Sequence, residues 1–281
     1  MPNNRTQRES DLRHIFSIRP FSLLPRQTTL MYILLFFVLH WYLSLFAQTF
    51  LHHRYAAHAS FTMNKFWERF FYVFTFITQG SSYLSPRAYA VMHRMHHAFA
   101  DTEKDPHSPR FFANVFAMMW DTKNIYNDIY HRRTQVEPRF EKNVPDWAWM
   151  DWFADRWIVR IGWVAVYVGI YAWLGAAWWM YMLIPAHAMM GPLHGAVINW
   201  FAHKIGYENF KTGTTSKNIM PVDVFMLGEG YHNNHHKFAS SPNFAFRWFE
   251  IDPVYLFMRG LSFLGIVKLK PSFAKRVVTE F

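Results

Sequence analysis

Three stretches of the sequence, residues 27–53, 70–86 and 161–203, contain no Asp, Glu, Lys or Arg. Crossing a bilayer core of about 30 Å takes roughly 20 helical residues at about 1.5 Å each. Residues 29–51 fit one such span. Residues 161–203 are long enough for two, with Gly175 as the turn, so spans are expected near 157–174 and 177–201. Pro185, Gly191 and Pro192 should distort the second of these. The 70–86 stretch is short for a full crossing and carries Gly80, Ser81 and Ser82 near its end. The pattern predicts an all-α, polytopic membrane protein with three to four transmembrane helices.

Two polar segments remain, 98–156 and 204–281. Both carry many Lys and Arg, which places them on the cytoplasmic face as a helical cap. Asp252 is an N-cap for a helix with Pro253 at its first position. Its Leu256, Phe257, Leu261 and Phe263 are suited to rest on the membrane surface. The chain thus reads as one domain, 1–281. It comprises a basic segment 1–28, membrane helices 29–203 with the loop 98–156 inserted, and a C-terminal helical part 204–281. Arg13, Arg19 and Arg26 interrupt the start, so no cleavable signal is expected.

Composition agrees. Only 17% of the 281 residues are charged and 20% are aromatic, against about 25% charged in a soluble domain. The net charge of +10 calls for an anionic partner, such as lipid headgroups or an acidic redox protein. Nucleic acid is excluded, because no basic helix with interleaved stacking aromatics occurs. The absence of cysteine removes thiolate metal sites and iron–sulfur clusters.

The histidines carry the chemistry. Nine of the 16 fall into four clusters: His53 and His58 in HRYAAH, His93, His96 and His97 in HRMHH, His203 in NWFAH, and His232, His235 and His236 in HNNHH. With 16 histidines in 281 residues, one particular three-histidine pattern is expected about 0.05 times by chance, and it occurs twice. Positions i, i+3 and i+4 share a helix face, so each HxxHH is expected to aim three imidazoles at one point. Asn199 and His203 also face together at i, i+4. His53 and His58 lie about 140° apart on a regular helix and need a helix end, a bulge or two different metals. Imidazole suits iron, copper or zinc, and nine ligands exceed one centre but supply two. His14, His40, His52, His131, His187 and His194 read as ordinary core or surface histidines, and His107 in DPHSP as an ordering residue beside the site.

These boxes resemble those of the membrane fatty acid desaturases of the Δ9 type. HRMHHAFADTEKDPHSP and GEGYHNNHHKF are similar to that family's second and third boxes with their flanks, and the likeness runs from about Leu30 to Leu269. The resemblance implies two iron ions held by the nine histidines, with zinc as a substitute in purified protein and Asn199 near one ion through water. It implies O2-dependent removal of two hydrogens from a fatty acyl chain by an integral membrane protein whose active site faces the cytoplasm. Asp101, Glu103, Asp105, His107 and Glu229 are candidates to orient the ligands. Phe37 and Trp41 are candidates to close the substrate tunnel.

Val91 and Met92 stand where acyl-CoA members usually carry Arg-Asp, which leaves acyl-lipid beside acyl-CoA as the substrate. Only one long apolar run precedes His53. The 70–86 segment should therefore dip and return or lie flat, with the N-terminus on the face opposite the site. No HPGG haem segment is present, so a separate ferredoxin or cytochrome b5-type protein should donate electrons. A lipid or alkane hydroxylase with the same metal site is the alternative. A non-catalytic relative would have lost ligands, and all nine are present.

Overall fold

The computed structural model describes residues 25–271. Residues 1–24 and 272–281, and with them the expected placement of the basic N-terminal segment, lie outside the described part. Helix α1 (Arg26–Ala47) continues without Pro or Gly into a π-helical segment, Gln48–Ala57. Together they form the one helix among the described residues long and apolar enough to cross a membrane. Leu34, Leu35, Val38, Leu39 and Leu43 lie exposed along one side of it, a face that only lipid or another chain would cover favourably.

The chain then forms a short strand β1 (Phe61–Met63) and helix α2 (Lys65–Gln79), whose first turn is capped by Asn64. α2 runs back along α1, with Phe71 against Phe50 at 4.4 Å and Phe74 against Phe46 at 6.0 Å between ring centroids. At Gly80 (φ 53) a Cβ would fall 1.8 Å from the Tyr167 hydroxyl, so only glycine fits this turn. By Leu84, whose carbonyl lies 2.7 Å from His52 Nε2, the chain has returned to the level of the first histidine box. Residues 70–86 thus descend and return beside α1. Helix α3 (Pro86–Phe99) follows, capped by Ser85.

Helices α4 (Val115–Tyr130), α5 (Pro138–Glu141) and α6 (Ala148–Asp155) fill the inserted loop. This segment is less uniformly polar in space than in sequence, since Phe116, Trp120, Trp149 and Trp152 are exposed on it. Helix α7 (Trp157–Trp173) is apolar but shorter than α1. Gly175 (φ 70) then turns the chain, and Thr29 Oγ1 donates to the Leu174 carbonyl at 3.2 Å, tying this end to the start of α1.

The return path, expected as a second span at 177–201 distorted by Pro185, Gly191 and Pro192, is broken into separate short pieces. It consists of a 3₁₀ segment (Trp178–Leu183), α8 (Ile184–Ala188), α9 (Met190–Ala196) and a π-helical turn (Val197–Phe201). Pro185 and Pro192 cannot donate to an i→i−4 ladder, so the path is built in pieces. After a long loop come α10 (His232–Lys237), α11 (Pro253–Phe263) and strand β2 (Val267–Leu269). Asp252 caps α11 by accepting from Tyr255 N at 3.0 Å, with Pro253 in the first turn. β2 pairs antiparallel with β1, Phe61 opposite Leu269, so the helical fold carries one two-stranded sheet. A core of Phe50, Phe61, Phe71, Tyr72, Val254 and Met258 locks α1, α2, α11 and the sheet together. Leu261, expected on the membrane surface, is buried beside it, while Leu256, Phe257 and Phe263 remain exposed.

Candidate metal centre

The first box is made possible by the π-helix. With i→i+5 hydrogen bonding, His58 N donates to the His53 carbonyl at 3.1 Å, and both rings come to one side, 4.9 Å apart between centroids. This resolves the 140° conflict of a regular helix. Arg94 fixes the end of the segment by donating to the carbonyls of Ala56 and Ala57.

The HxxHH boxes behave differently from the simple expectation. Neither aims three rings at one point. Positions i+3 and i+4 diverge by about 100° around a helix, and each box divides along that line. His93 and His97 of α3 join His53, His58 and His235, whereas His96 joins His203, His232 and His236. α10 mirrors α3 by giving one ring to the first group and two to the second. The groups adjoin, with His97 and His236 stacked at 4.5 Å.

In the first group Nε2 atoms face one another at 3.0 Å (His53–His235), 2.9 Å (His58–His93), 3.0 Å (His93–His97) and 2.8 Å (His97–His235). In the second they do so at 3.0 Å (His203–His232), 3.0 Å (His232–His236) and 3.2 Å (His96–His236). Two imidazoles share at most one proton in such a contact, so a ring of them faces lone pair to lone pair unless a cation lies between. Metal–nitrogen bonds of about 2.0–2.1 Å place neighbouring ligands roughly 2.9 Å apart at right angles and roughly 3.3 Å apart in a tetrahedron. The donor sets fit two metal ions.

Burial, and after it repulsion among neighbouring imidazoles, holds His58, His93, His97, His235 and His236 well below the usual histidine range. They are therefore neutral, the form that binds metal. Partners behind the rings fix the tautomer. Glu229 Oε2 lies 2.5 Å from His53 Nδ1, Asp105 Oδ1 lies 2.8 Å from His96 Nδ1, and Thr215 Oγ1 lies 3.0 Å from His203 Nδ1. Asp101 holds that threonine, accepting from its hydroxyl at 2.9 Å. Burial opposes charge on Glu229, but His53, Arg54 and Thr49 outweigh it and keep the carboxyl below its ordinary range. His107 is buried against His96 at 4.3 Å, both ring nitrogens unpartnered. Glu103, the remaining candidate, is exposed.

The asparagines inside HNNHH are structural. Asn233 accepts from the backbone N–H of Asn209 and Phe210 at 2.9 Å, and Asn234 donates to Glu250 and to the Phe244 carbonyl. At Gly230 a Cβ would meet Asp223 Oδ2 at 2.7 Å, because that carboxylate accepts from the Gly230 N–H at 2.6 Å.

A small cavity of about 40 Å³ touches both groups through His53, His93 and His232, and is also lined by Gln48, His194 and Asn199. It adjoins a larger one of about 440 Å³, walled by Leu84, Met119, Trp120, Tyr126 and Pro192. Gln48, Tyr89, Met92, Gly195 and Asn199 line both. Phe37 and Trp41, the tunnel candidates, line neither cavity. Their rings pack edge-on against His187 and His194 at 5.3 and 4.4 Å. Sequence reasoning missed Gln48, Tyr89, Met119 and His194, which become neighbours only through the fold.

Comparison with known proteins agrees with this geometry. The family model described as "Fatty acid desaturase" matches residues 19–260. The chain is 32% identical to Delta-9 acyl-lipid desaturase 1 of Arabidopsis thaliana over 80% of its own length and 71% of the relative's. It is 29% identical to sn-1 stearoyl-lipid 9-desaturase of Anabaena variabilis, covering 76% and 74% of the two chains. It is also 29% identical to Acyl-CoA 5-desaturase AL21 of Anemone leveillei, covering 79% and 66%. Two adjoining histidine groups, an apolar cavity leading to them and a family match over most of the chain make this protein an oxidoreductase of the fatty acid desaturase family.

Proposed function

We propose that the chain introduces a cis double bond, at the Δ9 position, into a saturated acyl chain, using two iron ions held by His53, His58, His93, His97 and His235 and by His96, His203, His232 and His236. The observation that carries this reading is that a largely apolar cavity of about 440 Å³ shares Gln48, Tyr89, Met92, Gly195 and Asn199 with the small cavity that touches both histidine groups. Five donors, and Nε2 separations of 2.8–3.0 Å in the first group, suit a five- or six-coordinate ion better than tetrahedral zinc. Asn199 lines the same small cavity as His232, which supports a role in holding water beside the second group.

When bound, the ions supply reduction of O2 to two waters, with two electrons and two protons from the acyl chain and two of each from outside. The protein's own residues do the rest. Glu229, Asp105 and Thr215 keep Nδ1 of the ligands engaged, so that Nε2 points inward. Met92, Tyr89 and Gly195 present an apolar wall that aligns adjacent methylenes and excludes bulk water, as pre-organised positioning requires. Electrons arrive from a separate acidic carrier of the ferredoxin or cytochrome b5 type, drawn to a basic surface. The site faces the cytoplasm in an integral membrane protein.

Fatty acid analysis of host lipids tests the reading. Cells expressing the chain should gain a cis-alkene that is absent with His235→Ala. No new alkene would contradict it, and a hydroxylated chain would favour the hydroxylase alternative.

A further inference from the structure

The larger cavity is open at one side, and its mouth has an unusual composition. Phe116 and Trp120 of α4 are 83% and 65% exposed, and Met189, at the joint between α8 and α9, is 52% exposed. All three line the cavity. They belong to the inserted segment and to the broken path of the membrane region, two parts that sequence assigns to different environments. Large apolar side chains clustered at an opening are costly in water and favourable against lipid. The lining contains one charged side chain, Lys123, whose ammonium sits 4.2 Å from the centre of the Trp120 ring. Asp121 lines a different hollow. Inward, the mouth leads past Met119 and Gly195 to Met92, Tyr89 and Asn199.

We propose that this slot between α4 and α9 is a lateral door through which an acyl chain still esterified to a phospholipid slides in from the bilayer, its phosphate resting on Lys123. The proposal rests on the reading of the chain as an acyl desaturase and names the form in which the substrate arrives. A coenzyme A thioester is the competing source. Its several phosphates need several cations, and one lysine among exposed aromatic rings provides a single charge for a single phosphodiester. The two residues before the second box point the same way: Met92 faces the cavity and Val91 is packed in the core against Ile129 and Phe140, so neither offers a headgroup contact.

Gly195 provides the means to separate the mouth from the depth. A Cβ there meets only Asn199 Nδ2 at 3.9 Å and Met119 Cε at 4.0 Å, so a large side chain is accommodated by filling the passage. The full chain, reconstituted in vesicles of phosphatidylglycerol carrying a photoreactive diazirine in mid-chain, is irradiated and its cross-links are mapped by mass spectrometry. The expected result is labelling of both the mouth (Phe116, Trp120) and the depth (Tyr89, Met92). Gly195→Phe should abolish labelling of the depth and leave the mouth labelled. Lys123→Glu should lower labelling of both by about fivefold or more, the effect of roughly 1 kcal/mol per charge at an anionic surface, while Trp248→Cys, a 94% exposed position elsewhere, should not. Labelling confined to the outer faces of α1 and α7 would overturn the proposal. So would labelling of Tyr89 and Met92 by a diazirine acyl-CoA in preference to the phospholipid. Cross-linking requires no turnover. A protein that yields alkene but no lipid cross-link refutes the door alone, and one that cross-links but yields no alkene refutes the desaturase reading instead.

Discussion

Glu229 shows how much one side chain settles at this site. It accepts from Thr49, meets His53 Nδ1, and lies within 3.8 Å of the Arg54 guanidinium. Glu229→Gln keeps the volume and removes the charge. Loss of such a supporting partner lowers metal affinity by about 10- to 100-fold, so metal content after dialysis against a chelator should fall while secondary structure by circular dichroism stays unchanged. Gly195 makes the complementary case for the substrate side. Gly195→Ala should add up to about 1 kcal/mol of helix stability, whereas Gly195→Phe should stop turnover without unfolding the protein. The nine clustered histidines were legible as a set because their spacing is improbable in a random chain. Their partners were less so: Glu229, Asp105 and Asp101 stand beside boxes and could be guessed, but Glu103 stands there too and faces solvent. Thr215 carries no signal in sequence, because only the course of the loop after His203 brings its hydroxyl back to that ring.

At the scale of elements, the π-helix and the divided boxes are the main findings. The sequence raised the angular conflict between His53 and His58 without choosing its solution, since π-helical and bulged turns have no strong residue preference. The division of each HxxHH follows from helix geometry once two acceptor points exist, but one sequence cannot say whether a second point lies within reach. The broken return path was half legible: Pro185, Gly191 and Pro192 announced distortion, not its extent. Arg54 links these elements. Fully buried, it reaches Asp252 at 3.0 Å and the Pro242 carbonyl at 3.0 Å, with its guanidinium 4.0 Å from the Phe244 ring. Arg54→Leu leaves Asp252 and Glu229 as buried carboxylates without their cation, a loss of about 3–5 kcal/mol. Chemical denaturation in detergent should show that drop, and a change within about 1 kcal/mol would refute the role.

For the molecule as a whole, the histidines couple stability to pH. The cluster rings have folded pKa values held below the ordinary 6.5, so below that pH the unfolded chain binds more protons than the folded one. Stability must therefore rise with pH through this window and be lost as pH falls below about 6.5. Melting temperatures of metal-stripped protein should be flat above roughly pH 7 and decline toward pH 5. A rise on acidification would contradict the buried, neutral state of the rings. The net charge of +10 belongs to this scale too. A surface of that sign favours an anionic partner, and exposed apolar side chains lie on α1, α4 and α11.

Nine histidines, divided five and four, form donor sets that fit two ions. The most direct measurement is the metal content per chain of protein purified from iron-supplied cells, with His58→Ala/His97→Ala and His203→Ala/His236→Ala measured beside it. About two iron ions are expected in the unaltered chain and about one in each double variant. A single ion in the unaltered chain, or two retained in either variant, would contradict it.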